Sequence, residues 1–204
     1  MSAFFACLAR LRLIRRWGLM RNAEPENVQE HSWRVSALAH ALALLRNRRF
    51  GGSVNPERAA LLGLFHDAGE AITGDLPTPV KYCNPQIRAA YHDIEREARQ
   101  ALTGLLPADL RGEYRDLFEP SDEDAVEAEL VRWADKLCAW LKCREELRGG
   151  NPEFAPAERT LWEKLSRCGL PEVSCFIEEF GPAFDLSLDD LTTQAPDGGR
   201  MVKG

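Results

Sequence analysis

Four residues in three separate segments of the 204-residue chain could together bind a divalent metal ion. They are two histidines and two aspartates, namely His31, the adjacent pair His66 and Asp67, and Asp135. Imidazole and carboxylate ligands without thiolates favour Mn, Co, Fe or Ni over a zinc site of the cysteine type. Four protein ligands around a six-coordinate ion leave two positions open for water and a substrate oxygen. The sequence therefore predicts a metal centre that can accept a ligand.

The elements that must position these residues are predicted to be helices with a buried face. His31 begins an apolar stripe at helical spacing, which continues through Val35, Leu38, Leu42 and Leu45. His66 extends a second stripe, with Asp67 directly after it, and Asp135 has apolar residues one turn away on both sides. A carboxylate in such a place is costly unless a cation or hydrogen bonds meet it. We therefore expect the four side chains to lie near the core of one helical bundle.

Each part of this pattern also has an ordinary structural explanation. A single histidine on an apolar face is usually a hydrogen-bonded core residue, and a His-Asp dipeptide often arises by chance. The joint arrangement is more specific, because a His-Asp pair follows His31 after 35 residues and a further aspartate, Asp135, lies on another helix. His40 falls on the opposite side of its helix from His31, and His92 lies in a charged segment. Neither is assigned to a metal, so one ion is expected.

The composition predicts an all-helical fold. Leu and Ala together account for 52 residues, whereas the strand-favouring Val, Ile and Thr together account for 19. No stretch alternates strictly between apolar and polar residues, and no Asn-Gly hairpin turn is present. The length corresponds to one ordinary domain. We expect this domain to span residues 1–191 and residues 192–204 to form a disordered C-terminal tail.

Caps and breaks in the sequence predict where the helices begin and end. A first amphipathic helix is expected over residues 4–17. Asn27, with a glutamate three residues later, predicts the capped start of a long second helix. Three glycine or proline breaks predict that residues 69–85 are largely loop. Ser121 is expected to cap the long helix that carries Asp135, whose first turns are rich in acids.

Charge and cysteine content exclude several classes of protein. The 26 basic and 32 acidic residues give a net charge of −6, which disfavours binding to a nucleic acid polymer. No apolar run is long enough to span a membrane, and the six cysteines include no C-x-x-C pair, so a reduced protein in the cytoplasm is expected. Before Glu24 the chain has five arginines and no acid, which a transit peptide or a membrane-surface helix could also show.

The spacing of His31, His66-Asp67 and Asp135 is similar to the H…HD…D signature of the HD-domain metal-dependent phosphohydrolases. Longer blocks resemble those of bacterial HD-domain 5′-deoxynucleotidases, which release phosphate from deoxyribonucleoside 5′-monophosphates. These blocks are RRWGLMRN (15–22), ENVQEHS (26–32), HDAGE (66–70) and TGDLPTPVKY (73–82). The block at 73–82 is specific, and the similarity covers about residues 4–190. The resemblance implies a single-domain HD helical bundle with one divalent metal ion, such as Co or Mn.

The resemblance also implies which residues bind the substrate. Arg16 is the best phosphate partner, because a guanidinium can pair bidentately with phosphate oxygens. Trp17 is a candidate for rejecting a ribose 2′-hydroxyl, and Asp75 could accept a hydrogen bond from the sugar 3′-hydroxyl. The complete set of expected substrate-binding residues is Arg16, Trp17, His31, Asp75, Leu76, Pro77, Thr78 and Asp135.

Glu70 is the expected catalytic residue. It lies four residues after His66, so on a continuing helix it would share the face of that ligand. An acid beside the metal site can orient a water molecule or move its proton. The alternative role for Glu70 is that of an acidic partner of a helix dipole. The resemblance further implies a homodimer, which the apolar helix faces would permit.

Two other functions remain open from the sequence. The chain could be an HD hydrolase that acts on a dNTP or a guanosine alarmone, which would release triphosphate or pyrophosphate rather than orthophosphate. It could instead be a non-catalytic helical binding protein that retains a metal for stability, or an arginine-rich adaptor at a membrane surface.

Overall fold

The regular structure is helical throughout residues 1–81 and 83–193, the part of the chain that the computed structural model describes, apart from one isolated bridge between Arg15 and Asn27. The all-helical prediction is confirmed. In chain order the α-helices of this part are α1 (Phe4–Leu8), α2 (Val28–Arg49), α3 (Pro56–Phe65), α4 (Glu70–Thr73), α5 (Thr78–Lys81), α6 (Pro85–Gly104), α7 (Arg111–Phe118), α8 (Ala125–Arg148), α9 (Ala155–Ser166), α10 (Pro171–Phe180) and α11 (Leu188–Thr193).

The N-terminus of α2 is fixed by the predicted cap. The Asn27 side chain accepts a hydrogen bond from the Glu30 amide, and the Glu30 side chain accepts one from the Asn27 amide. This reciprocal pair satisfies two amide groups that have no partner inside the helix. Helices α3 and α6 also begin at an asparagine cap, Asn55 and Asn84, but with a proline in the first turn and without the reciprocal glutamate bond. The cap at Asn27 fixes where α2 begins, and His31 therefore lies in the first turn of that helix.

Helices α2, α3 and α8 enclose the core, and α2 and α3 approach each other closely. A side-chain carbon at Gly63 would lie 3.0 Å from the Ser36 Cα atom, so only glycine fits without a shift of the backbone. The Ser36 hydroxyl donates to the Ala60 carbonyl oxygen across the same contact at 2.8 Å. This close packing brings the end of α3 next to the first turns of α2, where His31 is fully buried.

The N-terminal segment differs from its prediction. The expected helix over residues 4–17 ends as α1, which is followed by a 3-10 turn from Ala9 to Leu13. Residues 14–16, which follow this turn, are extended and pair with residues 26–28. The Val28 amide donates to the Ile14 carbonyl oxygen, and the Arg16 amide donates to the Glu26 carbonyl oxygen. Pairing with the segment before α2 satisfies these backbone groups in place of a further helical turn.

Smaller differences affect three other segments. Residues 122–124 form a separate 3-10 turn before α8, and Ser121 makes no side-chain cap. Within the predicted loop at 69–85, α4 and α5 each form a single turn. Helix α11 extends to Thr193, and residues 194–204 of the expected tail lie outside the described residues, as does Tyr82. Among the described helices, none combines the length and apolar character needed to cross a membrane.

Candidate functional site

The two histidines and two aspartates predicted to bind a metal come together from three elements. His31 lies in the first turn of α2, His66 and Asp67 follow the last residue of α3, and Asp135 lies in the middle of α8. One side-chain donor atom from each of His31, His66 and Asp67 lies within 4.8 Å of the others. Asp135 borders this group, with its Oδ1 atom 3.0 Å from His31 Nε2. Bundle packing thus unites residues that are 104 positions apart in sequence.

The donor atoms fit a cation. The Nδ1 atom of His66 lies 2.7 Å from the Gly63 carbonyl oxygen, which can only accept, so Nδ1 carries a hydrogen and Nε2 is the nitrogen that can bind a cation. That Nε2 atom is buried, makes no hydrogen bond and lies 3.0 Å from Asp67 Oδ2. A lone pair this close to a carboxylate oxygen requires a proton or a metal ion between them. A divalent cation held by imidazole and carboxylate would meet this requirement.

Electrostatics inside the cluster favour charged carboxylates. Burial lowers the pKa of His66, but the adjacent Asp67 carboxylate outweighs it and raises that pKa to about 8. Burial likewise opposes ionisation of Asp67, yet His66 lowers the pKa of this carboxyl to about 2. Burial raises the pKa of Asp135, but the bond to His31 and the neighbouring His66 and Arg16 together outweigh it and hold that pKa well below its usual range. Both aspartates are therefore negative at neutral pH and available to a cation, which would displace the proton from His66.

Arg16 lies beside this cluster and contacts three acids. Its Nε atom donates to Glu26 Oε2 at 3.2 Å, and its Nη1 atom donates to Asp67 Oδ2 at 3.4 Å. The Nη2 atom lies 4.0 Å from Asp135 Oδ1. Burial lowers the pKa of Arg16, but these carboxylates raise it above its usual range, so the guanidinium stays charged. A positive group therefore borders the site where an anionic substrate would meet a metal ion.

Trp17 is held next to Arg16 in an unusual backbone conformation. Its φ angle of 58° lies in the left-handed region, which is strained for a bulky side chain. The carbonyl oxygen of Trp17 accepts from the Met20 amide at 2.9 Å, and its ring packs against Phe154 with centroids 5.2 Å apart. The indole Nε1 is buried without a hydrogen-bond partner. The surrounding turn and the contact with Phe154 thus hold the ring in one place.

Glu70 and Asp75 lie on the segment that follows His66 and Asp67. Glu70 begins α4, after a turn that interrupts the helix on which it was expected to share a face with His66. Burial, followed by the Asp67 and Asp75 carboxylates, raises the pKa of Glu70 to about 9, and its Oε2 atom has no hydrogen-bond partner. Burial also raises the pKa of Asp75, although the positive charge of Arg16 lowers it in part. Glu70 therefore retains its proton to a higher pH than an exposed glutamate does.

The expected pocket wall after Asp75 is only partly enclosed. Leu76 and Pro77 are half-buried, whereas Thr78 begins α5 with an exposed side chain. Lys81, at the end of α5, donates to Glu95 on α6 at 2.7 Å. This contact ties the segment to α6.

Three charged residues that support the site were not predicted from the sequence. Lys142 on α8 donates to the Glu24 carbonyl oxygen and to Glu146, and both Lys142 and Glu146 are almost completely buried. Glu146 accepts from the amides of Ala23 and Glu24 at 2.8 and 3.0 Å. The third residue, Glu26, is 5% exposed. The i,i+4 spacing of Lys142 and Glu146, on the buried stripe that continues from Asp135, was a signal for the first two.

The other two histidines lie outside the cluster, as predicted. His40 is half-buried on α2, and the side chain of His92 on α6 is 55% exposed and pairs with Glu95. Neither contributes to the three-residue donor group found in the described part of the chain.

Sequence comparison identifies relatives along almost the whole chain. Residues 3–184 match the family described as 5′-deoxynucleotidase YfbR-like. The chain is 50% identical over 197 residues to the 5′-deoxynucleotidase yfbR of Photorhabdus temperata, covering 97% of this chain and 100% of that protein. It is 48% identical over 191 residues to the 5′-deoxynucleotidase VP0926 of Vibrio parahaemolyticus, covering 94% of this chain and 98% of that protein.

Solved structures share the fold. An HD-domain phosphohydrolase from Listeria innocua superposes with a TM-score of 0.77 at 23% identity, covering 94% of this chain and 95% of that one. The cyanophage S-2L HD phosphohydrolase DatZ, bound to dA and one catalytic Zn²⁺ ion, superposes with a TM-score of 0.58 at 22% identity, covering 88% and 95%. The architecture is thus that of the HD phosphohydrolases, in agreement with the sequence-based expectation. With the family match over residues 3–184 and relatives about half identical, this chain belongs to the YfbR-like 5′-deoxynucleotidase family.

Proposed function

We propose that this protein is a metal-dependent 5′-deoxynucleotidase, which hydrolyses deoxyribonucleoside 5′-monophosphates to a deoxyribonucleoside and phosphate. The observation that carries the proposal is the convergence of His31, His66 and Asp67 within 4.8 Å, with the Arg16 guanidinium in contact with Asp67. A cation site beside a fixed guanidinium suits a phosphate monoester dianion. The names of the half-identical relatives support the same activity.

His31, His66, Asp67 and Asp135 would hold one divalent ion, with Co or Mn as the expected type. When bound, this ion supplies a Lewis acid that withdraws charge from a phosphate oxygen and lowers the pKa of water. Measuring bound metal after dialysis should give one equivalent per chain.

The chain's own residues bind the phosphate and move the proton. Arg16 pairs with the phosphate oxygens through its terminal nitrogens, which already face the aspartates. Water attacks phosphorus while the bond from phosphorus to the 5′-oxygen breaks, so no covalent intermediate with the protein is required. Glu70 orients the water or carries a proton between it and the departing 5′-oxygen. A glutamate with a raised pKa can hold this proton at neutral pH.

Trp17 and Asp75 would recognise the sugar. Asp75 accepts a hydrogen bond from the 3′-hydroxyl, and Leu76, Pro77 and Thr78 form the adjoining wall. Trp17 rejects a ribonucleotide because its ring would leave the 2′-hydroxyl buried and unpaired, at a cost of about 1–3 kcal/mol.

Replacing Trp17 by Ala should therefore narrow the preference for deoxyribonucleotides. We expect the ratio of kcat/KM for a deoxyribonucleoside 5′-monophosphate to that for its ribo counterpart to fall by about fivefold to 100-fold. Trp162→Ala is the matched control, because it removes the same side chain from a different surface. Trp162 is half-exposed on α9 and packs on Trp140, whereas Trp17 packs on Phe154. An unchanged ratio in Trp17→Ala would remove Trp17 from the selectivity argument.

The proposed activity is tested by phosphate release from deoxy- and ribonucleoside 5′-monophosphates, 3′-monophosphates and dNTPs, with metals added one at a time. We expect orthophosphate from the deoxyribonucleoside 5′-monophosphates. Release of triphosphate or pyrophosphate would favour another HD hydrolase. A metal that raises Tm without supporting release of phosphate from any substrate would favour a binding protein.

We also propose that the protein acts as a homodimer in the cytoplasm. Large apolar side chains exposed on α2 and α3, including Trp33 at 67% and Leu64 at 40%, support association with a second copy. The six cysteines are all unpaired, which suits a reducing compartment. Sedimentation velocity of the metal-loaded protein would show a species of twice the 22.9 kDa chain mass if the dimer forms.

A further inference from the structure

Glu26 holds Arg16 at two points without facing the metal-ligand cluster itself. The Glu26 carbonyl oxygen accepts from the Arg16 amide at 3.0 Å, and the Glu26 carboxylate accepts from Arg16 Nε at 3.2 Å. Glu26 is 5% exposed, so water does not displace its carboxylate from the Arg16 guanidinium. The two bonds fix both the backbone and the guanidinium plane of one residue.

The carboxylate of Glu26 is in turn held by the bundle. Its Oε1 atom lies 3.6 Å from Nη1 of Arg34, which follows His31 by three residues on α2. Both terminal nitrogens of Arg34 donate to Glu145 on α8. Charges of alternating sign therefore run from Arg16 through Glu26 and Arg34 to Glu145, between the two helices that carry His31 and Asp135.

The terminal nitrogens of Arg16 are already near the cluster. Nη1 donates to Asp67 at 3.4 Å, and Nη2 lies 4.0 Å from Asp135. Without a hold on Nε, the guanidinium is free to move closer to these carboxylates, where it would compete with a cation for their oxygens. With Nε held, the terminal nitrogens remain at the edge of the cluster, where two phosphate oxygens can meet them.

We propose that Glu26 is a positioning residue for phosphate recognition, which orients Arg16 so that its terminal nitrogens face the substrate phosphate while the aspartates stay available to the metal. This inference rests on the proposed 5′-deoxynucleotidase activity. Glu26 acts through Arg16 and does not itself touch the substrate. An arginine held in place has lost its side-chain freedom before the substrate arrives, so binding no longer has to order it.

A double-mutant cycle tests whether Glu26 acts through Arg16. We expect Glu26→Ala to lower kcat/KM for a deoxyribonucleoside 5′-monophosphate by about 10- to 100-fold, the usual effect of removing a residue that orients a ligand-binding group. In an Arg16→Ala background the same change should have no further effect. Glu26→Gln keeps an oxygen acceptor for Nε and should recover most of the loss. Effects that multiply across the two sites would overturn the proposal.

Glu172→Ala is the matched control for loss of a buried carboxylate. Glu172 on α10 is 1% exposed and accepts from Arg46 Nη1 at 3.1 Å. Arg46 follows His31 on α2 by 15 residues, or about 22 Å along the helix, so this ion pair lies far from the site. This variant should lose stability but keep kcat/KM, whereas a loss of activity equal to that of Glu26→Ala would mean that Glu26 is merely structural. Glu26→Asp takes the place of Glu26→Ala in the cycle if the latter does not fold.

Calorimetric binding of inorganic phosphate to the metal-loaded variants separates this inference from the proposed activity. Absence of phosphate release by the wild-type protein would refute the activity, and the phosphate Kd values would still complete the cycle. Equal Kd values for the wild type and Glu26→Ala would overturn the role of Glu26 even if the wild type turns over.

Discussion

Replacing Asp67 by Asn is expected to lower phosphate release by about 1,000-fold and to remove the bound metal. The amide keeps the size of the side chain but loses the charge that faces His66 Nε2 at 3.0 Å. A cation at such a site contributes several kcal/mol to catalysis, and each 1.36 kcal/mol corresponds to about tenfold in rate. Phosphate release and metal content of the same purified sample measure the two effects together.

The matched control for this charge loss is Asp93→Asn on α6. The Asp93 side chain is 60% exposed and pairs with Arg96 on the surface, so its loss should leave activity and metal content unchanged. We expect Asp135→Ala to lower turnover at least as much as Asp67→Asn does. Full activity in Asp67→Asn or in Asp135→Ala would contradict the assignment of the metal ligands.

Replacing Glu146 by Ala should have the largest effect on stability. It leaves the Lys142 ammonium buried without its carboxylate and deprives the amides of Ala23 and Glu24 of their acceptor. Breaking a buried pair in this way typically costs about 3–5 kcal/mol. Urea unfolding measures the loss, with the exposed Glu163→Ala on α9 as the control, for which about 0.5 kcal/mol or less is expected. A loss below about 1 kcal/mol in Glu146→Ala would show that the pair is not a structural anchor.

The lowered pKa of Glu146 makes the free energy of unfolding depend on pH. Burial raises the pKa of Glu146, but the bonds from Lys142, from the Ala23 amide and from Asn151 outweigh it and lower the pKa from 4.5 to about 2. A folded-state pKa below the unfolded value means that the stabilisation is fully present above pH 4.5 and is lost as the pH falls towards 2. Its size is about 3 kcal/mol. In Glu146→Gln this part of the pH dependence should disappear, and an unchanged profile would contradict it.

The anchor formed by Lys142 and Glu146 also explains how stability and the site are connected. Lys142 follows Asp135 by seven residues, or about two turns of α8. The anchor therefore fixes the segment at residues 23–24 to the same helix that carries a predicted metal ligand. Glu26 and the start of α2 follow directly, so the position of the Arg16 contact depends on this anchor.

Local signals allowed most of the helices, and the side chains that converge in the candidate metal site, to be predicted. The cap at Asn27 and the apolar stripe that begins at His31 depend on residues three or four positions apart, and such spacing is preserved whatever the tertiary arrangement. The apolar stripes of α2, α3 and α8 predicted that His31, His66-Asp67 and Asp135 lie near the core; His31 is fully buried there, whereas the Asp135 side chain is 41% exposed at the edge of the cluster. Their meeting in one cluster then follows from packing three inward faces around a single core.

The sequence by itself thus determined an all-helical bundle and its acidic and imidazole donors, because periodicity records which side of a helix is buried. The tertiary structure decided which charges meet. Glu26 could pair with Arg16 only once residues 14–16 lay against residues 26–28, and Glu146 could reach the amides of residues 23–24 only once α8 had packed beside that segment. The end of the first helix before residue 14 was likewise decided by the pairing of residues 14–16 with 26–28. Periodicity gives the direction of a side chain, but the identity of its partner depends on distances set by the whole fold.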